Sequence, residues 1–348
     1  MQLQENTSLK KYNTFGIEVL AEYFATFHDI DSLGELLEFG KSLIIKKQQP
    51  NLILGGGSNI LFTKNVDGLV LKNEIYGIEK VKEDAEHVYV KAGAGENWHY
   101  LVQYCINQNL AGMENLSLIP GNVGASPMQN VGAYGVETKD VFYELEAFHV
   151  AEKKLVKFSL TDCEFGYRES VFKRRFKGEF VIVSVTFRLQ KTHRFNTNYG
   201  AINQELATMG IKELSIQAIS QAVINIRSSK LPNPAEIGNA GSFFKNPEVA
   251  VSTFEKLKND YPAIVGYLLG NGQMKLAAGW LIEHSGPTDA ISWKGYRKGD
   301  AGCHNKQALV LVNYGNATGK QLFNLSEAII KSVAQKFKVV LEREVNIF

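Results

Sequence analysis

The sequence predicts an α+β protein, and three observations predict it. Runs with helical spacing and runs with strand-like alternation both occur along the 348 residues, but they do not alternate strictly, which argues against a doubly wound parallel sheet. Two glycine-rich loops follow strand-like runs: Gly55-Gly56-Gly57-Ser58-Asn59 follows Leu52-Ile53-Leu54, and the segment Ile119–Gly135 contains Gly121, Gly124, Gly132 and Gly135. Neither loop has the Gly-x-Gly-x-x-Gly spacing of the common dinucleotide fold. Glycine lets a ligand approach the main chain closely, and small residues beside exposed N–H groups form anion-binding nests. Two such loops suggest a chain that wraps a large phosphorylated ligand in its backbone.

The elements follow in order. Residues 29–48 read as a helix, with Ile30, Leu33, Leu36, Leu37 and Ile44 near helical spacing. Residues 51–54 and 68–72 read as short strands on either side of the first glycine loop. His87–Lys91 alternates as a strand does. A helix is expected from about Glu96 to Asn109, with Trp98, Leu101, Val102, Cys105 and Ile106 on one face. Residues 143–150 and 179–190 read as strands; in the second, Val181, Val183, Val185, Phe187 and Leu189 alternate as in a half-buried sheet. A helix near 214–227 is striped by Leu214, Ile219, Val223 and Ile226, and Pro232 and Pro234 then break the chain. Lys275–Glu283 and 321–337 read as helices, and 308–313 and 339–348 as strands. No internal repeat is apparent.

Composition narrows the function. The net charge of +2 is too mild to argue for nucleic acid, which needs a clustered basic face. The densest basic run, Lys173-Arg174-Arg175 with Lys177 nearby, reads as a solvated turn. Cys105, Cys163 and Cys303 give neither a disulfide framework nor a metal pattern and fit a reducing compartment. The seven histidines show no metal-ligand spacing, so no metal is expected. The polar start lacks a signal-peptide core, and no apolar run reaches the ~20 residues of a membrane helix. A cytoplasmic protein without membrane or nucleic-acid partners is expected.

Four constellations could carry chemistry. Gly241-Ser242-Phe243-Phe244-Lys245-Asn246-Pro247 holds a hydroxyl, a cation and an amide within a bend; Ser242 could donate a proton there, or merely cap a turn. Gly166-Tyr167-Arg168-Glu169 sets an arginine after a tight turn, suited to gripping a carboxylate or to a surface ion pair with Glu169. Glu342 and Glu344 lie two apart on one face of a strand and could serve chemistry or only keep a sheet edge soluble. Lys230, ahead of the proline turn, is a point charge for phosphate or a solvated lysine.

Taken in chain order, from Asn13-Thr14-Phe15-Gly16 to Leu341–Val345, these motifs resemble the UDP-N-acetylenolpyruvoylglucosamine reductase family, flavoenzymes of peptidoglycan precursor synthesis, over nearly the whole length. The resemblance implies a two-lobed FAD-binding domain of the vanillyl-alcohol-oxidase (PCMH) type, with lobes at 1–72 and 73–200. A smaller α+β substrate-binding domain follows at 201–348, its last strand returning to the active site. FAD would lie on Gly55, Gly56, Gly57, Ser58 and Asn59 and on Ile119, Pro120, Gly121, Gly124, Ala125, Ser126, Gln129, Asn130, Gly132 and Ala133. Ser242 resembles the proton donor, and Arg168 and Glu344 the pair that steadies an enolate. Lys230, Asn246, Lys294 and Gln307 resemble contacts to the UDP-sugar, and Tyr199 the loop tyrosine of the longer family class. Where the family often has arginine two places after the glutamate, this chain has Asn346. The implied reaction is NADPH-dependent reduction of UDP-N-acetylglucosamine enolpyruvate to UDP-N-acetylmuramate by a monomeric enzyme, serving wall synthesis, cell shape and division. Partial positive charge from Lys245 or backbone N–H groups would ease proton loss from Ser242. Two other readings of the sequence are a flavin-dependent sugar or alcohol oxidase and a non-catalytic UDP-sugar binder.

Overall fold

The computed structural model describes residues 3–42, 52–288 and 290–348. Two compact units form. The first comprises the chain up to Thr7, Leu20–Gly57 and Val66–Ser229; the second comprises Ser8–Val19, Ser58–Asn65 and Lys230–Phe348.

The first unit holds two sheets. One has the order Gln4–Ser8, Leu20–Phe27, Val66–Asn73, Leu52–Leu54, and its last three strands run parallel. A helix, Ile30–Ser42, follows Leu20–Phe27 and buries Leu33, Leu36 and Leu37 against Ala25, Phe27, Leu69 and Leu71. Residues 43–51, including Ile44 and Asn51, lie outside the described residues. The second sheet is antiparallel, in the order Lys154–Ser159, Phe142–His149, Phe180–Gln190, His87–Gly93, Ile78–Glu83. Its long strand Phe180–Gln190 was expected to bury one face. Instead residues 181–187 are buried on both faces. Val181 and Val183 pack into the core of the first sheet, while Ile182, Val185, Phe187 and Leu189 join the core of the helix Trp98–Asn107. That helix buries Trp98, Leu101, Val102, Cys105 and Ile106 as the spacing predicts, and Asn97 caps it by accepting from the Tyr100 N–H.

Helix Gly200–Thr208 and helix Ile216–Lys230 as far as Ser229 belong to the first unit, whereas the sequence reading set a boundary at 200. The physical reason is side-chain docking that no local pattern reports. Ile216 enters the core of the antiparallel sheet, and the Ser220 hydroxyl lies 2.7 Å from that of Ser117. Leu214, expected on the helical stripe, lies before the helix and is 46% exposed.

In the second unit the sheet order is Gly238–Ser242, Val310–Asn313, Ala301–Cys303, Arg297–Lys298, all antiparallel. Helix Gly319–Phe337 starts on a capping box in which Thr318 and Gln321 satisfy each other's backbone N–H groups. The Asn13–Gly16 motif is a staple: the Asn13 amide donates to the Leu9 and Ile17 carbonyls, and the Phe15 carbonyl accepts from Asn313 Nδ2 at 2.9 Å. Two expectations change. Gln273–Leu276 is a strand between Glu248–Ala250 and Gly266–Leu268, and the helix begins only at Ala278. Short apolar runs fit both periods, and pairing with two neighbours decides this one. The terminal strand shrinks to Asn346–Ile347, parallel to Ile60–Leu61, with one isolated bridge between Phe244 and Arg343.

Candidate active site

The two glycine loops meet within the first unit. A Cβ built on Gly56 would lie 2.5 Å from Asn122 Oδ1 and 3.0 Å from Gly121 Cα, so backbone packs on backbone. Only glycine permits that approach. Asn122 Nδ2 also donates to the Gly95 carbonyl at 2.5 Å, and Val123 N donates to the Glu96 carbonyl, docking the second loop on the start of helix Trp98–Asn107. Gly124 and Gly132 serve packing as well: added methyls would stand 2.6 Å from Ala94 Cβ and 2.8 Å from Glu137 Cγ. The Ser126 hydroxyl is spent on the Val123 carbonyl at 2.8 Å. Ala125 and Pro120 are exposed, while Ile119, Gln129 and Ala133 are half-buried. The first loop crosses into the second unit between Gly57 and Ser58.

Arg168 is the third residue of a four-residue turn closed by Gly166 and Glu169, and its φ is +53°. Glycine or asparagine suits that position; an arginine there is strained, as functional residues often are. Its Nη2 donates to the Gly132 carbonyl at 2.6 Å and its Nη1 reaches the Asn130 carbonyl at 3.4 Å. Asn130, fully buried with φ +45°, donates from Nδ2 to the Gly166 carbonyl at 3.1 Å and to Glu137 at 2.9 Å. The arginine turn is therefore clamped to the second glycine loop from both sides. Glu169 pairs with Lys173 at 3.6 Å, and Arg174 and Arg175 pair with Glu164, so the basic run is a surface ion-pair turn.

Tyr199 precedes helix Gly200–Thr208, is 47% exposed, and meets the Tyr134 ring edge-on at 5.2 Å. Tyr134, at φ +51°, hydrogen-bonds the guanidinium of Arg227, whose Nε donates to the Leu118 carbonyl at 3.2 Å. Burial pulls the Arg227 pKa below its ordinary value, and that charge in turn helps hold His99 low, after desolvation. Sequence reasoning missed Arg227 and Tyr134; the available signal was a lone arginine beside the apolar stripe that ends at Ile226.

The second unit brings Ser242 and Glu344 onto paired segments. Glu344 N donates to the Phe243 carbonyl at 2.9 Å, and Lys245 N to the Glu342 carbonyl at 2.8 Å. Phe243 and Phe244 are buried, and Ser242, just after Gly241 at φ +67°, is exposed. Lys245 Nζ lies 2.6 Å from Glu342 Oε1, so the cation expected to assist Ser242 is matched by a carboxylate. Asn59 Nδ2 donates to the Glu344 carbonyl at 3.3 Å, and Asn346 donates to the Asn59 carbonyl from both its backbone N (3.1 Å) and its Nδ2 (2.9 Å). Asn346 thus joins the segment that carries Glu344 to the first glycine loop. The remaining expected contacts also lie in this unit. Lys230, exposed, ends a helix; Asn246 Oδ1 accepts from Ala278 N at 2.9 Å, at the start of helix Ala278–Ser285; Lys294 pairs with Glu283 at 3.0 Å; and Gln307 Oε1 would lie 2.7 Å from a Cβ on Gly279. All three cysteines are buried, and desolvation pushes each thiol up to about 12, which makes them inert.

Among the described residues no cluster of His, Cys, Asp or Glu could hold a metal ion, and no helix is long and apolar enough to cross a membrane. The donor set of the two loops is backbone N–H, amide and hydroxyl, with no carboxylate between 55 and 59 or 119 and 135. Donors of this kind suit a pyrophosphate.

A flavin-binding oxidoreductase is the class that the matches to known families define. Residues 24–159 match the family described as FAD binding domain, and residues 233–348 match UDP-N-acetylenolpyruvoylglucosamine reductase, C-terminal domain. The UDP-N-acetylenolpyruvoylglucosamine reductases of Amoebophilus asiaticus and Flavobacterium johnsoniae are 52% and 47% identical, covering 100% of this chain and 99% and 100% of theirs. The crystal structure of UDP-N-acetylenolpyruvylglucosamine reductase from Thermus caldophilus has the same fold, with a TM-score of 0.65 at 22% identity, covering 100% of this chain and 98% of that one. The chain belongs to the UDP-N-acetylenolpyruvoylglucosamine reductase family.

Close packing at Gly56 yields a direct expectation. Gly56→Ala forces the two loops apart, so the purified variant should carry less flavin. Absorbance of flavin per protein, at unchanged helix content, measures it.

Proposed function

We propose that this protein reduces UDP-N-acetylglucosamine enolpyruvate to UDP-N-acetylmuramate with NADPH as reductant, acting as a cytoplasmic monomer in peptidoglycan precursor synthesis and so in cell shape and division. The observation that carries the reading is the pairing of the Ser242 segment with the Glu344 segment, joined through Asn59 to a glycine loop. FAD, when bound, supplies the two-electron carrier between nicotinamide and enol ether.

The residues do the rest. An enol ether is electron-rich, so reduction requires charge to be drawn toward the conjugated carboxylate. The Arg168 guanidinium, held on the Asn130 and Gly132 carbonyls, provides preorganised positive charge for that. Reduction places a hydride equivalent on the terminal carbon and a proton on its neighbour. Ser242 Oγ holds that proton, and delivery from one face fixes a single configuration. Glu344, half-buried, donates a hydrogen bond from its protonated carboxyl to the substrate oxygen on which charge develops. Lys230, Lys294, Asn246, Gln307 and Tyr199 are the protein's contacts to the sugar nucleotide, Tyr199 lying edge-on to Tyr134.

Anaerobic titration tests the reading. NADPH should bleach the yellow protein, and the enolpyruvyl UDP-sugar should restore the colour. Bleaching without recovery overturns the substrate assignment; oxygen consumption with a simple sugar alcohol and no use of NADPH would establish an oxidase instead.

A further inference from the structure

Arg343 stands next to Glu344, and one face of helix Gly319–Phe337 holds its guanidinium. Its Nε donates to the Ser326 hydroxyl at 2.8 Å, its Nη2 donates to Glu327 Oε1, and its Cζ lies 4.7 Å from the centre of the Phe323 ring. Phe323 is three and four residues from Ser326 and Glu327, so the three line one face of that helix. Ser326 is fully buried and spends its own proton on the Phe323 carbonyl at 2.6 Å, which leaves its oxygen as an acceptor for Arg343. A planar fork bonded to two acceptors and resting on a ring has little freedom to slide or turn.

The ion pair with Glu327 adds little to stability by itself, because Glu327 is 54% exposed and its charge is screened by water. What matters is the segment that the fork holds. Glu344 N donates to the Phe243 carbonyl and Lys245 N to the Glu342 carbonyl, with Arg343 and Phe244 opposite each other between those two bonds. The residue before Glu344 is therefore tied to the Ser242 segment by backbone and to the helix by its side chain. Beyond Glu344, Asn346 makes the tie to Asn59. Successive side chains of an extended segment leave on opposite faces, so Glu344 departs from the face opposite the one that Arg343 turns to the helix.

We propose that Arg343 is a positioning residue for the substrate half-reaction: by locking its segment to helix Gly319–Phe337 it fixes where the Glu344 carboxyl meets the substrate oxygen. The inference rests on the substrate reading above, in which Glu344 donates to that oxygen. A hydrogen bond weakens steeply as its angle and distance degrade, and a misplacement of about 1 Å can cost about a hundredfold in rate. In this role Arg343 touches no reacting atom and acts through Glu344, which separates it from a residue that merely supports the fold.

Arg343→Lys in the holoenzyme keeps a cation for Glu327 and loses the fork. Flavin reduction by NADPH should stay at the parental rate, reoxidation at saturating enolpyruvyl UDP-sugar should fall about tenfold, and the KM for that sugar should stay within about twofold. Added to Glu344→Ala, the same substitution should slow reoxidation by less than about twofold further, because no carboxyl is left to position. Equal slowing by Arg343→Lys with and without Glu344→Ala overturns the proposal, as does a parental reoxidation rate in Arg343→Lys or equal slowing of both half-reactions. If Arg343→Lys does not fold, Ser326→Ala decides. It deletes the buried acceptor alone and should slow reoxidation when Glu344 is present but not in Glu344→Ala; a parental rate in Ser326→Ala then overturns the proposal. Failure of the reading itself has a different signature, since the parent's colour would not recover with the enolpyruvyl sugar.

Discussion

Replacing Ser242 with alanine is expected to leave flavin reduction by NADPH at its normal rate and to slow reoxidation by the enolpyruvyl sugar at least about a hundredfold, the usual scale of lost general acid catalysis. The asymmetry follows from what the hydroxyl touches. Nicotinamide needs no proton from Ser242, whereas the substrate must receive one on the carbon beside its carboxylate. Exposure of Ser242 at the end of strand Gly238–Ser242 makes it available to a ligand, and the buried Phe243 and Phe244 hold its backbone in place. A serine hydroxyl is a weak acid, and the ion pair of Lys245 with Glu342 removes much of the positive potential that lysine alone would give. The acidity must then come from backbone N–H groups and from charge on the substrate itself. Stopped-flow absorbance separates the half-reactions; equal slowing of both ends the proton-donor assignment.

The parts of this site that were legible in the sequence are those whose chemistry is local. A glycine run after an apolar strand, or a serine inside Gly-Ser-Phe-Phe-Lys-Asn-Pro, is visible within ten residues. Helix Trp98–Asn107 was legible because its five buried residues share one face. What escaped depends on partners far along the chain. Asn346 reads as a departure from the family pattern, yet both its donors serve Asn59, 287 residues away, and so support the Glu344 segment from the glycine loop. Arg227 looks like a helix-surface cation, and only the return of Leu118 and Tyr134 to its guanidinium shows otherwise. The strand Gln273–Leu276 was misread for the same reason: two neighbouring strands, not its own spacing, fix its conformation.

Arg168→Lys, a change that keeps the charge, is expected to slow the substrate half-reaction about a hundredfold or more while leaving flavin reduction by NADPH intact. A guanidinium carries five donors in a rigid fork; an ammonium carries three on a flexible stem. Arg168 has to serve the carbonyls of Asn130 and Gly132 and still present donors to a carboxylate, and lysine has neither the number nor the geometry. Parental reoxidation by the enolpyruvyl sugar in Arg168→Lys would remove the arginine from the mechanism. The backbone supplies a second, independent measure. At φ +53° any side chain with a Cβ is strained, and glycine is not. Arg168→Ala and Arg168→Gly lose the same guanidinium, so both should be equally slow with substrate. They should differ in stability by about 1 kcal/mol in favour of glycine, read as a difference in denaturant midpoint. A position where glycine folds better and arginine works better is one whose side chain is kept for chemistry rather than for folding.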